Sequence, residues 1–330
     1  MKHIEELPVL FTFHVFLLPK QDYTKARLDF QYLLFLIGLA SNNSPCNLHT
    51  MEIQFTKMHG LGNDFVVIDS FAQEIQLTSD QVRLIADRHF GIGCDQLLLL
   101  SPSDKEGVDI RYLIYNADGG EVSQCGNGAR CVAAYLRENG LIDGLDDGDT
   151  ITAETHEGII TMTLEEDELV KVNMGIPKLA PADIPIELQE YASQYRLNLS
   201  DTEITFSAVS MGNPHAVIVV DDVMSAPILT MGPEVQAQSF FPQGVNVGFM
   251  QIIDSAHIKL RVYERGAGET LACGSGACAA VVAGCINSSL DQEVEVELPG
   301  GHLMISWMGE GEPVWMTGPA AFVYQGKISL

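Results

Sequence analysis

The chain has 330 residues, 46% hydrophobic and 19% charged, which excludes a disordered polymer and leaves room for two domains with cores of their own. Its formal charge of −26 argues against nucleic acid or an anionic membrane as partner. Seven cysteines, an odd number with no C-x-x-C pair, argue against a disulfide framework or zinc ribbon and for reduced thiols in a cytoplasmic protein.

Residues 1–50 differ in character from the rest. Lys2, Lys20, Lys25 and Arg27 balance Glu5, Glu6, Asp22 and Asp29, so residues 51–330 carry all the net charge. The apolar runs 9–18 and 30–40 are shorter than the roughly 20 residues that span a bilayer. The acidic opening lacks the basic region of a signal peptide. This segment is read as an over-long start or a poorly ordered extension, with a credible beginning at Met51.

From there, strand character runs over 53–57 and 65–69, and a helix is predicted over 79–89, with Ser79 as N-cap and Leu84, Ile85 and Phe90 apolar. Strands follow at 96–100 and 110–115, then a helix over 127–138 and an acidic surface turn over 139–149. Further strands are predicted at 151–154, 159–164 and 169–173. The proline-bearing region 177–201 reads as an interdomain connection. A last helix, 275–286, is apolar all round and must be buried on every side, as a sheet wrapped about it would achieve.

The chain also repeats itself. Tyr115, Gly120-Glu121, Cys125 and Gly126-Asn127-Gly128-Ala129 recur 148 positions later as Tyr263, Gly268-Glu269, Cys273 and Gly274-Ser275-Gly276-Ala277. A weaker echo pairs Gly62-Asn63 with Gly212-Asn213 at an offset of 150. Two similar halves facing across a cleft follow, and such clefts favour small-molecule sites.

Cys125 and Cys273 each sit where a glycine-rich loop enters a helix. The first N–H groups of a helix lack intrahelical partners, so they are expected to lower a thiol pKa toward neutrality and to grip a carboxylate. Two such sites facing each other place one sulfur on each face of a substrate α-carbon. One thiolate then removes the α-proton, the opposite thiol delivers another, and the N–H groups take up the developing enolate charge. Cys94, Cys131, Cys278 and Cys285 read as small buried hydrophobes. Cys94, beside a candidate pocket residue, is also considered as an adventitious oxidation site.

These motifs identify a resemblance. Residues 58–65 (MHGLGNDF), 124–131 (QCGNGARC), 210–215 (SMGNPH), 246–249 (NVGF), 261–270 (RVYERGAGET) and 272–279 (ACGSGACA) closely resemble diaminopimelate epimerase. The resemblance covers residues 51–330 and leaves 1–50 without counterpart. It implies an α+β fold of two pseudo-symmetric domains, each a curved, mainly antiparallel, barrel-like sheet around a central helix. The lobes are expected at 51–169 plus 319–330, with Cys125, and at 170–318, with Cys273. It implies interconversion of LL- and meso-diaminopimelate, for lysine and cell-wall precursors, in a cytoplasmic homodimer without pyridoxal phosphate or metal.

By position it implies Cys125 and Cys273 as the catalytic pair, and Gly126, Asn127, Gly274 and Ser275 as holders of the α-carboxylate. Asn63, Gln96, Asn116, Asn213, Asn246 and Arg265 would fix the distal zwitterion, for which neutral amides and one guanidinium are suitable partners. His215 and Glu264 would support the cysteines or the substrate's ammonium group, without indication of which cysteine each assists. Weighed against this are a proline or hydroxyproline racemase, a thiol oxidoreductase or peptidase, and a non-catalytic amino-acid binder. The first would not need Arg265 and the amide set, and an oxidoreductase wants a close cysteine pair where these lie 148 apart. A peptidase leaves the duplicate unexplained, and retention of both reactive cysteines argues against a binder.

Overall fold

The computed structural model describes residues 51–72, 75–122, 125–188 and 190–330. The expectations for residues 1–50 therefore fall outside the described residues.

Buried apolar runs dictate the first elements. Strand β1 (Glu52–Gly60) turns through Leu61-Gly62 into β2 (Asn63–Asp69), with Gly62 at φ +88°, where a side chain would be strained. Phe65, Val66, Val67 and Ile68 of β2 are all inaccessible, as expected of a strand covered on both faces. Helix α1 (Ser79–Ala86) is shorter than its predicted span, and its N-cap is Thr78 rather than Ser79. The Thr78 hydroxyl accepts from Gln81 N–H while the Gln81 side chain accepts from Thr78 N–H, a reciprocal pair that Ser79 cannot make. The helix ends because Asp87 turns its carboxylate onto the N–H groups of His89 and Phe90, and Phe90 ends up exposed.

Then follow β3 (Gln96–Pro102), β4 (Ile110–Asn116), β5 (Glu121–Val122), α2 (Gly126–Glu138), β6 (Thr150–Thr155), β7 (Gly158–Leu164) and β8 (Leu169–Asn173). The second half runs β9 (Tyr195–Asn198), β10 (Glu203–Ser210), β11 (Pro214–Val219), α3 (Ile228–Gln236), β12 (Asn246–Asp254), β13 (His257–Glu264), β14 (Gly268–Thr270), α4 (Gly274–Ile286), β15 (Glu293–Leu298), β16 (Gly301–Trp307), β17 (Val314–Pro319) and β18 (Ala321–Ser329). The region 177–201 is more than a connector. Its Ile184, Ile186, Tyr195 and Leu197 enter a buried cluster with Phe206 and Phe249, and its β9 pairs with β10.

The two halves share one pairing scheme. β2 runs parallel to β3 as β11 does to β12, β4 parallel to β6 as β13 to β15, and the other neighbours are antiparallel. Even the register repeats, since Leu97↔Tyr115 corresponds to Val247↔Tyr263. The halves join through β8 and β17, which pair antiparallel with Val172 opposite Met316, its own counterpart in the repeat. A local two-fold axis therefore passes beside Met316. α2 packs against strands of the first half and α4 against strands of the second, and buried residues of both form one continuous core. Residues 276–284 of α4 are all buried, and their small side chains let the sheet close around the helix.

The halves are not equally filled. Tyr135 of α2 donates to Asp69 at 2.7 Å, whereas its counterpart in α4 is Ala283. Beside Ala283 lies a cavity of about 340 Å³, lined by Phe206, Val217, Met231 and Met250, away from both repeated cysteines.

Met316 is inaccessible and touches both central helices. Truncation by Met316→Ala should cost about 2–5 kcal/mol. Chemical denaturation of the purified variant measures it, and a loss below 1 kcal/mol would contradict the packing described here.

Candidate active site

Cys125 and Cys273 are the N-caps of α2 and α4, each extended (φ −149° and −119°) before the chain turns helical. The glycine after each is required by close approach. A methyl group on Gly126 would lie 2.6 Å from Met316 Cε, and one on Gly274 3.0 Å from Met316 Sδ and 3.2 Å from Asn127 Oδ1. The two helix N-termini thus abut the same methionine. Asn127 stitches them together, its Nδ2 donating to Asn63 Oδ1 (3.2 Å) and to Ala272 O (3.3 Å), the carbonyl just before Cys273.

The two thiols have different company. Cys273 Sγ donates to Glu264 Oε2 at 3.1 Å, the other carboxylate oxygen accepts from Thr270 Oγ1 at 2.5 Å, and Ser275 Oγ is 3.7 Å from the sulfur. Cys125 Sγ faces the Asn63 amide oxygen at 3.7 Å. So Glu264 is hydrogen-bonded to Cys273, and its counterpart near the first cysteine is the neutral Asn116. Asn63 is itself oriented by Asp95, which accepts from its Nδ2 at 3.1 Å and pairs with Arg88 at 2.7 Å.

The expected lowering of both thiol pKa values is reversed. Burial pushes the Cys125 thiol up to about 11, against the N–H groups of Gly128 and Asn127, and the Glu264 charge adds to the rise. Burial, the Glu264 charge and the hydrogen bond to Glu264 hold Cys273 well above the ordinary thiol value, outweighing Gly276 N–H and Ser275. The helix termini act in the expected direction, but enclosure in protein acts more strongly.

The remaining predicted residues gather at strand ends on the same side. Gln96 opens β3, Asn116 closes β4, and they bond at 2.9 Å. Asn246 opens β12, opposite His215 in the parallel register. Its Oδ1 accepts from Arg265 N–H at 2.9 Å and its Nδ2 donates to Pro214 O at 3.3 Å. Arg265 Nη1 donates to Gln243 O at 2.7 Å. His215 touches Asn213 rather than either cysteine. Because Asn213 Oδ1 can only accept, His215 Nε2 carries the proton of their 2.9 Å bond. Burial, with Arg265 nearby, lowers the His215 pKa to about 3, so the ring is neutral at ordinary pH.

Cys94 is not the exposed thiol that an oxidation site needs. It is 2% accessible, packed with Ile53, Val66 and Leu97, and burial raises its pKa to about 11. Residues that sequence reasoning missed are Thr270, Asp95, Met316 and Arg130. Thr270 and Arg130 lie inside the motifs that carry the resemblance, but only the fold sets what their side chains touch.

The sequence profile described as diaminopimelate epimerase matches residues 55–180 and 207–323. The chain belongs to the diaminopimelate epimerase family. It is 56% identical over 280 residues to the diaminopimelate epimerase of Nitrosomonas europaea, covering 85% of this chain and 100% of that one. Against that of Nitrosospira multiformis the identity is 53% over 280 residues, covering 85% and 99%. Among solved structures, a hydroxyproline epimerase from Agrobacterium vitis with bound trans-4-hydroxy-L-proline superposes with a TM-score of 0.63 at 16% identity, covering 84% of this chain and 93% of that one. A phenazine biosynthesis protein of the PhzF family from Bacillus anthracis gives 0.59 at 18%, covering 84% and 99%. These distant likenesses establish the fold, and the family makes the chain an isomerase. Among the described residues no helix is long and apolar enough to cross a membrane.

Glu264→Gln keeps the shape of the site and removes the charge that raises Cys273. The Cys273 pKa should fall, so its alkylation by iodoacetamide, followed by peptide mass spectrometry, should accelerate at fixed pH. Unchanged alkylation of Cys273 would contradict the assignment of Glu264 to that thiol.

Proposed function

We propose that the chain interconverts LL- and meso-diaminopimelate by a two-thiol proton transfer without a cofactor. The observation that carries this reading is the pair of cysteines capping two helices whose N-termini meet around Met316. A substrate α-carboxylate fits at the meeting point, against the helix-terminal N–H groups of Gly126, Asn127, Gly274 and Ser275. The α-carbon then lies between the two sulfurs.

In one direction Glu264 accepts the Cys273 proton, and the resulting thiolate removes the α-proton. Charge moves onto the carboxylate, where preorganised N–H groups stabilise it more than they stabilise the ground state. The Cys125 thiol delivers its proton to the opposite face. In the reverse direction Cys125 is the base and Cys273 the acid. The high thiol pKa values suit the acid role, since each thiol holds its proton until the carbanion forms.

Asn63, Gln96, Asn116, Asn213, Asn246 and Arg265 are assigned to the distal end, with neutral His215 holding Asn213. The lobes are assigned to 51–169 with 319–330 and to 170–318, which the pairing of β18 with β1 supports. A homodimer in the cytoplasm is the proposed form of the enzyme. It is supported by exposed Phe322, Val323 and Tyr324 on β18, a strand paired only with β1 among the described strands, and sedimentation velocity reads its mass.

The deciding experiment is proton NMR of LL-diaminopimelate with residues 51–330 in D₂O, with reductant and without pyridoxal phosphate. Loss of the α-proton signal with growth of the meso isomer is expected. No exchange by fully reduced protein would overturn the substrate assignment, and proline as parallel substrate tests the sister activity. Cys125→Ser and Cys273→Ser should each lower kcat by about 10²–10⁴. A variant of either cysteine with full activity would remove it from the mechanism.

A further inference from the structure

The two-thiol reading leaves Cys125 at a disadvantage. Cys273 has a carboxylate to receive its proton, whereas the side chain facing Cys125 is the Asn63 amide oxygen, which is too weakly basic to take one. What Cys125 has instead is a cation. Arg130, five residues on along α2, has the largest side chain among the fully buried residues, with no accessible surface.

Its partners are weak for a guanidinium. Nε donates to Pro319 O at 3.1 Å, Nη1 lies 3.4 Å from Met316 Sδ, and Nη2 has no hydrogen-bond partner. Among the described residues no carboxylate pairs with it; burial lowers its pKa, and the groups that oppose this are Cys131, Cys125 and Cys278, which carry charge only as thiolates. The fold has also been cleared for it. A methyl group on Gly60 would lie 2.9 Å from Nη2. The sulfur that Nη1 touches belongs to Met316, whose Cε abuts Gly126 and whose Sδ abuts Gly274 at the helix junction.

A buried charge without a counter-ion is costly, and exchanging it for an apolar side chain is often stabilising. The core around α2 has many apolar alternatives, so packing alone gives no reason for an arginine here. In the repeat, the corresponding position of α4 is Cys278, beside a thiol that already has Glu264. The cation is thus found in the half that lacks the carboxylate.

We propose that Arg130 is a positioning residue for Cys125, its unmatched buried charge stabilising the thiolate of Cys125 and the carboxylate arriving at the junction of the two helices. This rests on the two-thiol reading but is tested without turnover. Each anion supplies the counter-charge that Arg130 otherwise lacks. Cys273 relies on the proton-accepting Glu264, and Cys125 on the fixed charge of Arg130.

The test is the pH dependence of iodoacetamide alkylation, resolved for Cys125 and Cys273 by peptide mass spectrometry, in wild type, Arg130→Met and Arg130→Lys. Arg130→Met should move the Cys125 profile upward by about one pH unit, roughly tenfold slower below the midpoint. The Cys273 profile should move less, and Arg130→Lys should stay near wild type. The melting temperature of Arg130→Met should not fall, since an unpaired charge has been removed. A folded Arg130→Met with an unchanged Cys125 profile would overturn the proposal. So would Arg130→Lys behaving as Arg130→Met, which would make shape and not charge the requirement. If Arg130→Met does not fold, Arg130→Gln, which keeps a donor for Pro319 O, replaces it, and failure of both to fold would reduce Arg130 to a structural strut. Absence of α-proton exchange in wild type would sink the epimerase reading and leave this measurement intact.

Discussion

Two helices that meet N-terminus to N-terminus bring the positive ends of their dipoles together, and the site described here depends on that unfavourable contact. An isolated pair of helices would avoid it. Here the sheet of each half fixes its own helix, and the β8–β17 pairing holds the halves so that both first turns press on Met316. The result is two helix first turns whose N–H groups, which have no intrahelical partners, meet at one junction. An anion placed there is stabilised from two sides, and the arrangement is preorganised for charge that develops on a carboxylate.

Duplication supplies two thiols, but a working acid–base pair needs the halves to differ. The differences lie on an otherwise shared frame: Glu264 stands where the first half has Asn116, His215 where it has Phe65, and Cys278 where it has Arg130. Each exchange changes the charge or polarity of a side chain in or around the candidate site. The strand register, by contrast, is kept to the residue. Geometry is thus the conserved product of the repeat, and electrostatics its divergent one.

Much of this was legible in sequence because repeats and glycines leave local marks. The matched Cys-Gly-x-Gly-Ala blocks placed both helix N-termini, and the all-apolar 275–286 run foretold a helix sealed inside a sheet. Three things were not legible. The Thr78 cap was missed because Thr and Ser both cap well, and only the reciprocal bond to Gln81 decides between them. The thiol pKa direction was misjudged because a helix terminus is visible in sequence, whereas burial is a property of the assembled core. The partner of β8 lies in β17, more than a hundred residues away, and no local periodicity encodes such a pairing.

The route of the last strand has a consequence for how the molecule is made. β18 pairs along the length of β1, Glu52 opposite Ser329, so the half that emerges first from the ribosome is completed by the strand that emerges last. Until then β1 keeps an open hydrogen-bonding edge on that side. Such an edge is a template for pairing with other chains, and a nascent polypeptide carries it for most of its synthesis. The acidic character of residues 51–330 supplies repulsion between neighbouring chains during that interval. The charge that says little about what this protein binds thus bears on how it reaches its folded form.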